Sequence, residues 1–196
     1  MALAKHCRHL TSLEITSCCH VTDISLFCIG KYCHGLLNIN MSGADVSDAG
    51  MGAIATGCPL LQRWKLWDEV TRTSGSGILA LAFGCTQLQH LVTNNVCIDI
   101  HAVSMLARNC PMLSTLAASG SQIDDECLHI IAQYLHNLVY LDASRSQISD
   151  PDAIRAVAFS CKRLKTFLVY FCCHLQNSLA LGDVLAKCPQ LQRFEY

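Results

Sequence analysis

Fourteen cysteines and nine histidines are the residues of this 196-residue chain that could bind a metal or supply a nucleophile. Zinc sites usually take ligands from close pairs such as Cys-x2–4-Cys, and Cys28-x4-Cys33 is slightly too wide. Cys18-Cys19-His20 and Cys172-Cys173-His174 combine both ligand types. They occupy equivalent positions in two distant units of the repeat described below, so they are predicted to be turns that cannot share an ion. A structural role for these cysteines is favoured over a metal or redox role.

Nucleophilic catalysis requires a thiolate or hydroxyl beside a base, and no motif in the sequence supplies that pair. Neither H-E-x-x-H nor G-x-S-x-G is present. Ser74-Gly75-Ser76-Gly77 lacks the Gly-Lys-Ser/Thr of a phosphate-binding loop and is predicted to be a loosened helix start. The sequence therefore predicts a protein that is not an enzyme and that uses no metal or cofactor.

The spacing of the cysteines indicates a repeat. Seven of them, which we call the anchor cysteines, stand three residues before a leucine: Cys7, Cys33, Cys58, Cys85, Cys110, Cys161 and Cys188. Leu135 takes the anchor position in one further unit. Successive anchor positions are 26, 25, 27, 25, 25, 26 and 27 residues apart. A fixed period in this range is typical of a solenoid, in which most cysteines pack as small hydrophobes. We expect the anchor cysteines Cys33, Cys58, Cys85, Cys110 and Cys161 to be buried and reduced.

Each repeat unit predicts one short strand and one short helix. Apolar residues recur three, six and eight positions after each anchor, and the last two alternate with outward residues as in a strand. A Val/Ile-Thr/Ser-Asp element follows, as at Val21-Thr22-Asp23, and its polar side chains can cap a helix that ends at the next anchor. The strands are expected to pair in parallel and to centre near residues 13–15, 39–41, 64–66, 91–93, 116–118, 141–143 and 167–169.

This pattern resembles the cysteine-containing leucine-rich repeat of F-box/leucine-rich-repeat proteins. The first unit matches as Cys7-x-x-Leu10-x-x-Leu13-x-Ile15-x-x-Cys18-x-x-Val21-Thr22-Asp23-x-x-Leu26, and the resemblance covers essentially all of the chain. It implies a leucine-rich-repeat solenoid of the α/β class, a horseshoe of about seven repeats with a parallel concave sheet and convex helices. Residues 1–196 are expected to form a single domain of this kind. Because the ends lack polar capping units and no F-box is present, we expect an incomplete or uncapped array.

Outward strand residues on the concave face are the candidate binding residues, because core packing does not require them. They lie five, seven and nine positions after each anchor. Trp64 is distinct from them, since it replaces a core leucine. Small residues at Thr115, Ala117 and Ser119 form a saddle between two candidate clusters. One cluster is Arg63, Lys65 and Trp67, and the other is Tyr140, Asp142, Leu168 and Tyr170. Trp, Tyr and Arg are the residue types that dominate protein–protein hot spots. The alternative is an ordinary exposed surface. The predicted partner-binding set is Arg63, Lys65, Trp67, His90, Tyr140, Asp142, Leu168 and Tyr170.

The resemblance implies a protein–protein recognition module like the substrate-recognition repeats of F-box ubiquitin-ligase subunits. The alternative is a structural scaffold subunit of a large assembly, such as a ciliary, axonemal or cytoskeletal complex. A formal net charge of −1 gives no electrostatic basis for binding nucleic acid or a membrane surface. No apolar run of 18 residues and no signal-peptide core occur. We therefore expect a cytoplasmic protein, with the cilium, cytoskeleton or nucleus as alternatives.

Overall fold

A computed structural model describes residues 2–67, 72–172 and 182–196 of the chain. Within these ranges one sheet contains eight strands in sequence order, and every neighbouring pair is parallel. The predicted solenoid fold is thereby confirmed. The strands are β1 (Ser12–Glu14), β2 (Asn38–Asn40), β3 (Arg63–Trp67), β4 (His90–Asn94), β5 (Thr115–Ala117), β6 (Tyr140–Asp142), β7 (Thr166–Leu168) and β8 (Arg193–Glu195).

A helix precedes each anchor position, as the repeat pattern predicts. The six central helices have ten residues each, and the anchor position is the C-cap of every one. The helices are α1 (Ala2–His6), α2 (Asp23–Tyr32), α3 (Asp48–Gly57), α4 (Gly75–Gly84), α5 (Ile100–Asn109), α6 (Asp125–Tyr134), α7 (Pro151–Ser160) and α8 (Gly182–Lys187). No helix in the described ranges is long and apolar enough to cross a membrane.

The strands begin one residue earlier than the apolar pattern predicts. The outward residue five positions after each anchor already belongs to the hydrogen-bonded ladder, where Ser12, Asn38 and Arg63 are aligned in register. β3 and β4 also extend further than the other strands, to Trp67 and Asn94. Both of these outward residues are therefore held by the sheet itself.

The polar pair before each helix does more than the local capping that its sequence predicts. Ser47 caps α3 by accepting a hydrogen bond from the Ala49 amide at 3.3 Å. The residue after the cap connects two units, because Asp23 at the start of α2 accepts bonds from the Ser47 amide at 2.8 Å and the Ser47 hydroxyl at 2.6 Å. Asp48 binds Ser74 in the same way, at 2.7 and 2.6 Å. These bonds join the start of α2 to that of α3 and the start of α3 to that of α4, and they hold those repeats in register.

Six of the seven anchor cysteines form a buried column between successive units, whereas Cys7 is exposed. The thiol of Cys58 lies 3.4 Å from the Cys33 carbonyl oxygen, and the thiol of Cys85 lies 3.5 Å from the Cys58 carbonyl oxygen. The pKa of Cys58 and of Cys85 is raised to about 12, mainly by burial and to a smaller extent by the neighbouring thiols. These groups are protonated packing groups with a weak donor, not nucleophiles. The predicted burial is confirmed, since 0% of each residue is exposed at Cys33, Cys58, Cys85, Cys110 and Cys161.

Candidate functional site

The β3 strand separates core residues from candidate binding residues by simple alternation. Trp64 and Leu66 are each 1% exposed, which confirms that Trp64 belongs to the core. Arg63, Lys65 and Trp67 point to the opposite side, and all three are exposed. Trp67 is 56% exposed, so much of a large apolar ring stands in solvent on the concave face.

Members of both candidate clusters lie on opposite walls of one cleft, which we call the concave cleft. It has a volume of about 540 Å³. Lys65 and Trp67 of β3 form one wall, and Tyr140, Asp142 and Tyr170 belong to the other. The floor between them consists of small or polar residues from β4, β5 and the turn after β5, including Val92, Asn94, Thr115, Ala117 and Ser119.

A second, smaller cavity of about 300 Å³ lies on the other side of the same β3 residues. Its walls are Lys65 and Trp67 together with residues of the first two units, including Asn40 and Ser42. The backbone at Trp67 is held from this side, because the Trp67 amide donates a hydrogen bond to the Ser42 hydroxyl at 3.2 Å. Trp67 is therefore a partition between two adjacent depressions of the concave face.

Arg63 and His90 lie next to the cleft without lining it. Both stand at the first residue of their strands, whereas β3 and β4 line the cleft with residues from later in each strand. His90 is half-buried, and its Nδ1 is 2.9 Å from the Thr115 hydroxyl. Burial lowers the pKa of His90, and the positive charge of Arg63 lowers it further. His90 is thus a group that joins β4 to β5 beside the cleft.

Two residues of the predicted partner-binding set are buried, although their outward strand positions predicted exposure. Asp142 is only 8% exposed and Leu168 only 4%. Asp142 lines the cleft, but its carboxylate accepts a hydrogen bond from the Ser144 amide at 3.0 Å. Leu168 lies in register between Asp142 and Glu195 and does not line the cleft. The curved sheet brings outward side chains of neighbouring strands together, and at these two positions that crowding excludes solvent.

Arg145 is a cleft residue that the offset pattern missed. It stands ten positions after its anchor, in a turn where the backbone φ is +55°. Its guanidinium lies over the Phe171 ring at 5.9 Å, and the Tyr170 ring contacts Phe171 edge-on at 5.4 Å. The signal in the sequence is the glycine at the same offset in two other units, Gly43 and Gly120, which also have positive φ. The offset therefore marks a left-handed turn that bulky residues rarely adopt.

The charges around the cleft are incompletely neutralised. Within the described ranges, neither Lys65 nor Arg145 forms an ion pair with a carboxylate, whereas Arg72 and Arg193 each do. Asp142 is the one carboxylate among the described residues that line the cleft. Burial raises the pKa of the Tyr140 phenol, and the nearby Asp142 charge raises it further. Counting only residues 2–67, 72–172 and 182–196, the cleft thus has two unpaired cations at its edges and one buried anion on its wall.

The described residues bring together no three histidine, cysteine, aspartate or glutamate side chains that could hold a metal ion. Cys18 and Cys19 are exposed thiols in the turn after β1. Of the second segment, Cys172 is half-buried, while Cys173 and His174 lie outside the described residues.

Comparison with known proteins agrees with this geometry. A family model described as Leucine Rich repeat matches residues 6–30. A crystal structure of an internalin from Listeria monocytogenes superimposes with a TM-score of 0.57 at 16% sequence identity, over 86% of this chain and 43% of that chain. The chain has the leucine-rich-repeat fold. This leucine-rich-repeat solenoid therefore spans less than half the length of the internalin, and the likeness concerns the fold alone.

Proposed function

We propose that this leucine-rich-repeat protein is a non-catalytic recognition module that binds a protein partner in the concave cleft. The observation that supports this most is the exposure of Trp67, a 56% exposed ring between two cavities. Large exposed apolar side chains beside a cavity mark interaction sites. The opposite wall adds Tyr140, Tyr170 and Arg145, and Trp, Tyr and Arg are the residue types that dominate hot spots.

At finer detail, we propose that the module selects substrates for a ubiquitin ligase. The support is the cysteine-anchored repeat pattern, which resembles that of F-box/leucine-rich-repeat proteins. Such a role needs an F-box supplied by a longer form of the protein or by an associated chain. Affinity purification of the full gene product tests it. Co-purification of a ligase adaptor supports this role, and a stable complex without any ligase component contradicts it.

A scaffold role in a large assembly is the second candidate, and the convex face favours it. Ile24, Phe27 and Phe83 are 58%, 53% and 63% exposed on helices α2 and α4. An apolar groove of about 620 Å³ between α2 and α3 includes Phe27 in its lining. A subunit embedded in an assembly needs contacts on more than one face. Size-exclusion chromatography of native extract separates the candidates, since a scaffold elutes with its assembly at very high mass.

Site-specific photo-crosslinking tests the concave cleft as the partner surface. A benzophenone amino acid replaces Trp67 on the concave face or Phe83 on the convex face, both of which are exposed. We expect a discrete crosslinked partner from position 67, and its yield should fall when Arg145 is also replaced by alanine. Crosslinking of the same partner from position 83 alone would contradict the proposal.

A further inference from the structure

In the part of the chain that the structure describes, the concave cleft has two positive charges without acidic partners. Lys65 belongs to β3 on one wall, and Arg145 lies in the turn after β6 on the other. Within the described part of the chain, no carboxylate pairs with either. Arg145 is held in place by the Phe171 ring at 5.9 Å, so its charge is positioned. A ligand that matches this cleft carries negative charge at both edges.

The arrangement of the cations favours carboxylates over phosphate. Each wall supplies a single cation, whereas a phosphate group with nearly two negative charges is usually recognised by a cluster of arginines. Asp142 lies on the cleft wall with its carboxylate nearly buried. It would repel an anion placed beside it, so the negative groups of a ligand belong at the two edges with a neutral group between them.

The distance between the walls sets the spacing of those negative groups. β3 and β6 are separated by β4 and β5, so three strand spacings span about 14 Å. An extended peptide advances about 3.3–3.4 Å per residue, so about four residues cover that distance. A peptide crossing the strands thus places two acidic side chains over the two walls when they are about four positions apart.

The floor of the cleft determines what lies between the acidic groups. Thr115, Ala117 and Ser119 are small, which leaves space above β5. Trp67 on one side and Tyr140 and Tyr170 on the other give the space aromatic walls. An aromatic side chain fits such walls by stacked or edge-to-face contact.

We propose that the concave cleft binds an extended acidic segment of a partner protein, with two carboxylates about four residues apart on Lys65 and Arg145 and an aromatic residue between them. This inference rests on the proposed function and adds the chemistry of the partner.

Fluorescence anisotropy with synthetic peptides tests the inference. The probe is fluorescein-labelled Gly-Glu-Ala-Tyr-Ala-Glu-Gly, and its control has glutamine in place of both glutamates. At low ionic strength we expect the glutamate peptide to bind about tenfold more tightly than the control, and added salt should reduce that ratio. Lys65→Gln and Arg145→Gln should each weaken binding of the glutamate peptide several-fold and leave the glutamine peptide unchanged.

A matched variant controls for general charge. Arg193→Gln removes an exposed arginine on β8 that is paired with Glu195 and does not line the cleft, so affinity should not change. Equal affinity for both peptides, or no binding of the glutamate peptide, overturns the inference. Photo-crosslinking distinguishes failure of this inference from failure of the proposed function. A partner crosslinked from position 67 supports the proposed function even when the peptides show no preference for charge.

Discussion

The two tryptophans give a matched pair of substitutions that separates binding from folding. Trp64 is 1% exposed in the core and Trp67 is 56% exposed three residues later on the same strand. Replacing Trp64 by alanine leaves a cavity and should destabilise the fold by about 3–5 kcal/mol. A tryptophan buries up to about 250 Å² in a core, so the exposed part of Trp67 leaves on the order of 140 Å² for a partner to cover. At about 25 cal/mol per Å², covering that area contributes about 3.5 kcal/mol on binding.

Trp67→Ala should therefore lower partner affinity by at least about 2 kcal/mol, or about thirtyfold. Because less than half of the Trp67 side chain is packed against the protein, Trp67→Ala should lower the free energy of unfolding by only about 1 kcal/mol. For a domain of this size, thermal unfolding followed by circular dichroism should show a fall in Tm of about 2–4 °C for Trp67→Ala and at least about 6 °C for Trp64→Ala. Titration calorimetry with the crosslinked partner gives the affinity. If Trp67→Ala unfolds the protein as severely as Trp64→Ala, or leaves affinity unchanged, the assignment of the concave cleft is wrong.

Three further predictions concern the fold. Cys85 should resist alkylation in the native protein because burial raises the pKa of its thiol to about 12, whereas the exposed Cys18 should react within the same mass-spectrometric time course; disulfides among the anchor cysteines would contradict this. Burial raises the pKa of Asp125, but hydrogen bonds from the next repeat outweigh it and lower the pKa below 3.8. Its stabilisation is therefore present above pH 3.8 and lost as pH falls through the folded-state value, so Asp125→Asn should lower Tm at neutral pH and have less effect in acid. Gly57→Ala should destabilise by about 1–3 kcal/mol in urea unfolding, because a Cβ there would clash with the Gly30 carbonyl oxygen.

The fold could be predicted from the sequence because every unit repeats the same local pattern. The anchor spacing and alternation place each strand and helix, and parallel pairing follows once identical units stack. Alternation is also why Lys65 and Trp67 could be identified as outward residues. The inter-repeat hydrogen bonds that Ser47 donates to Asp23 could not be predicted from the repeated local pattern. They join two units, and a pattern read within one unit contains no information about such contacts.

The candidate site was only partly predictable, for physical reasons that differ between residues. Whether Asp142 and Leu168 are exposed depends on side chains of neighbouring strands, which the pattern along one strand does not contain. Arg145 enters the cleft from a left-handed turn, where the alternation that governs strands no longer holds. The position was marked in other units by Gly43 and Gly120, so an offset-by-offset comparison of glycines would have found it.

The most direct test of the concave cleft as a partner surface is the solvent exposure of Trp67 in the complex. The chain has two tryptophans, so in a Trp64→Phe variant the emission reports on Trp67 alone. Acrylamide quenching is measured for the free protein and for the complex with the partner captured from position 67. We expect strong quenching of the free protein, and a blue-shifted emission with several-fold weaker quenching in the complex. Equal quenching in the free and bound states would mean that the partner does not cover Trp67, and would refute the concave cleft as the partner surface.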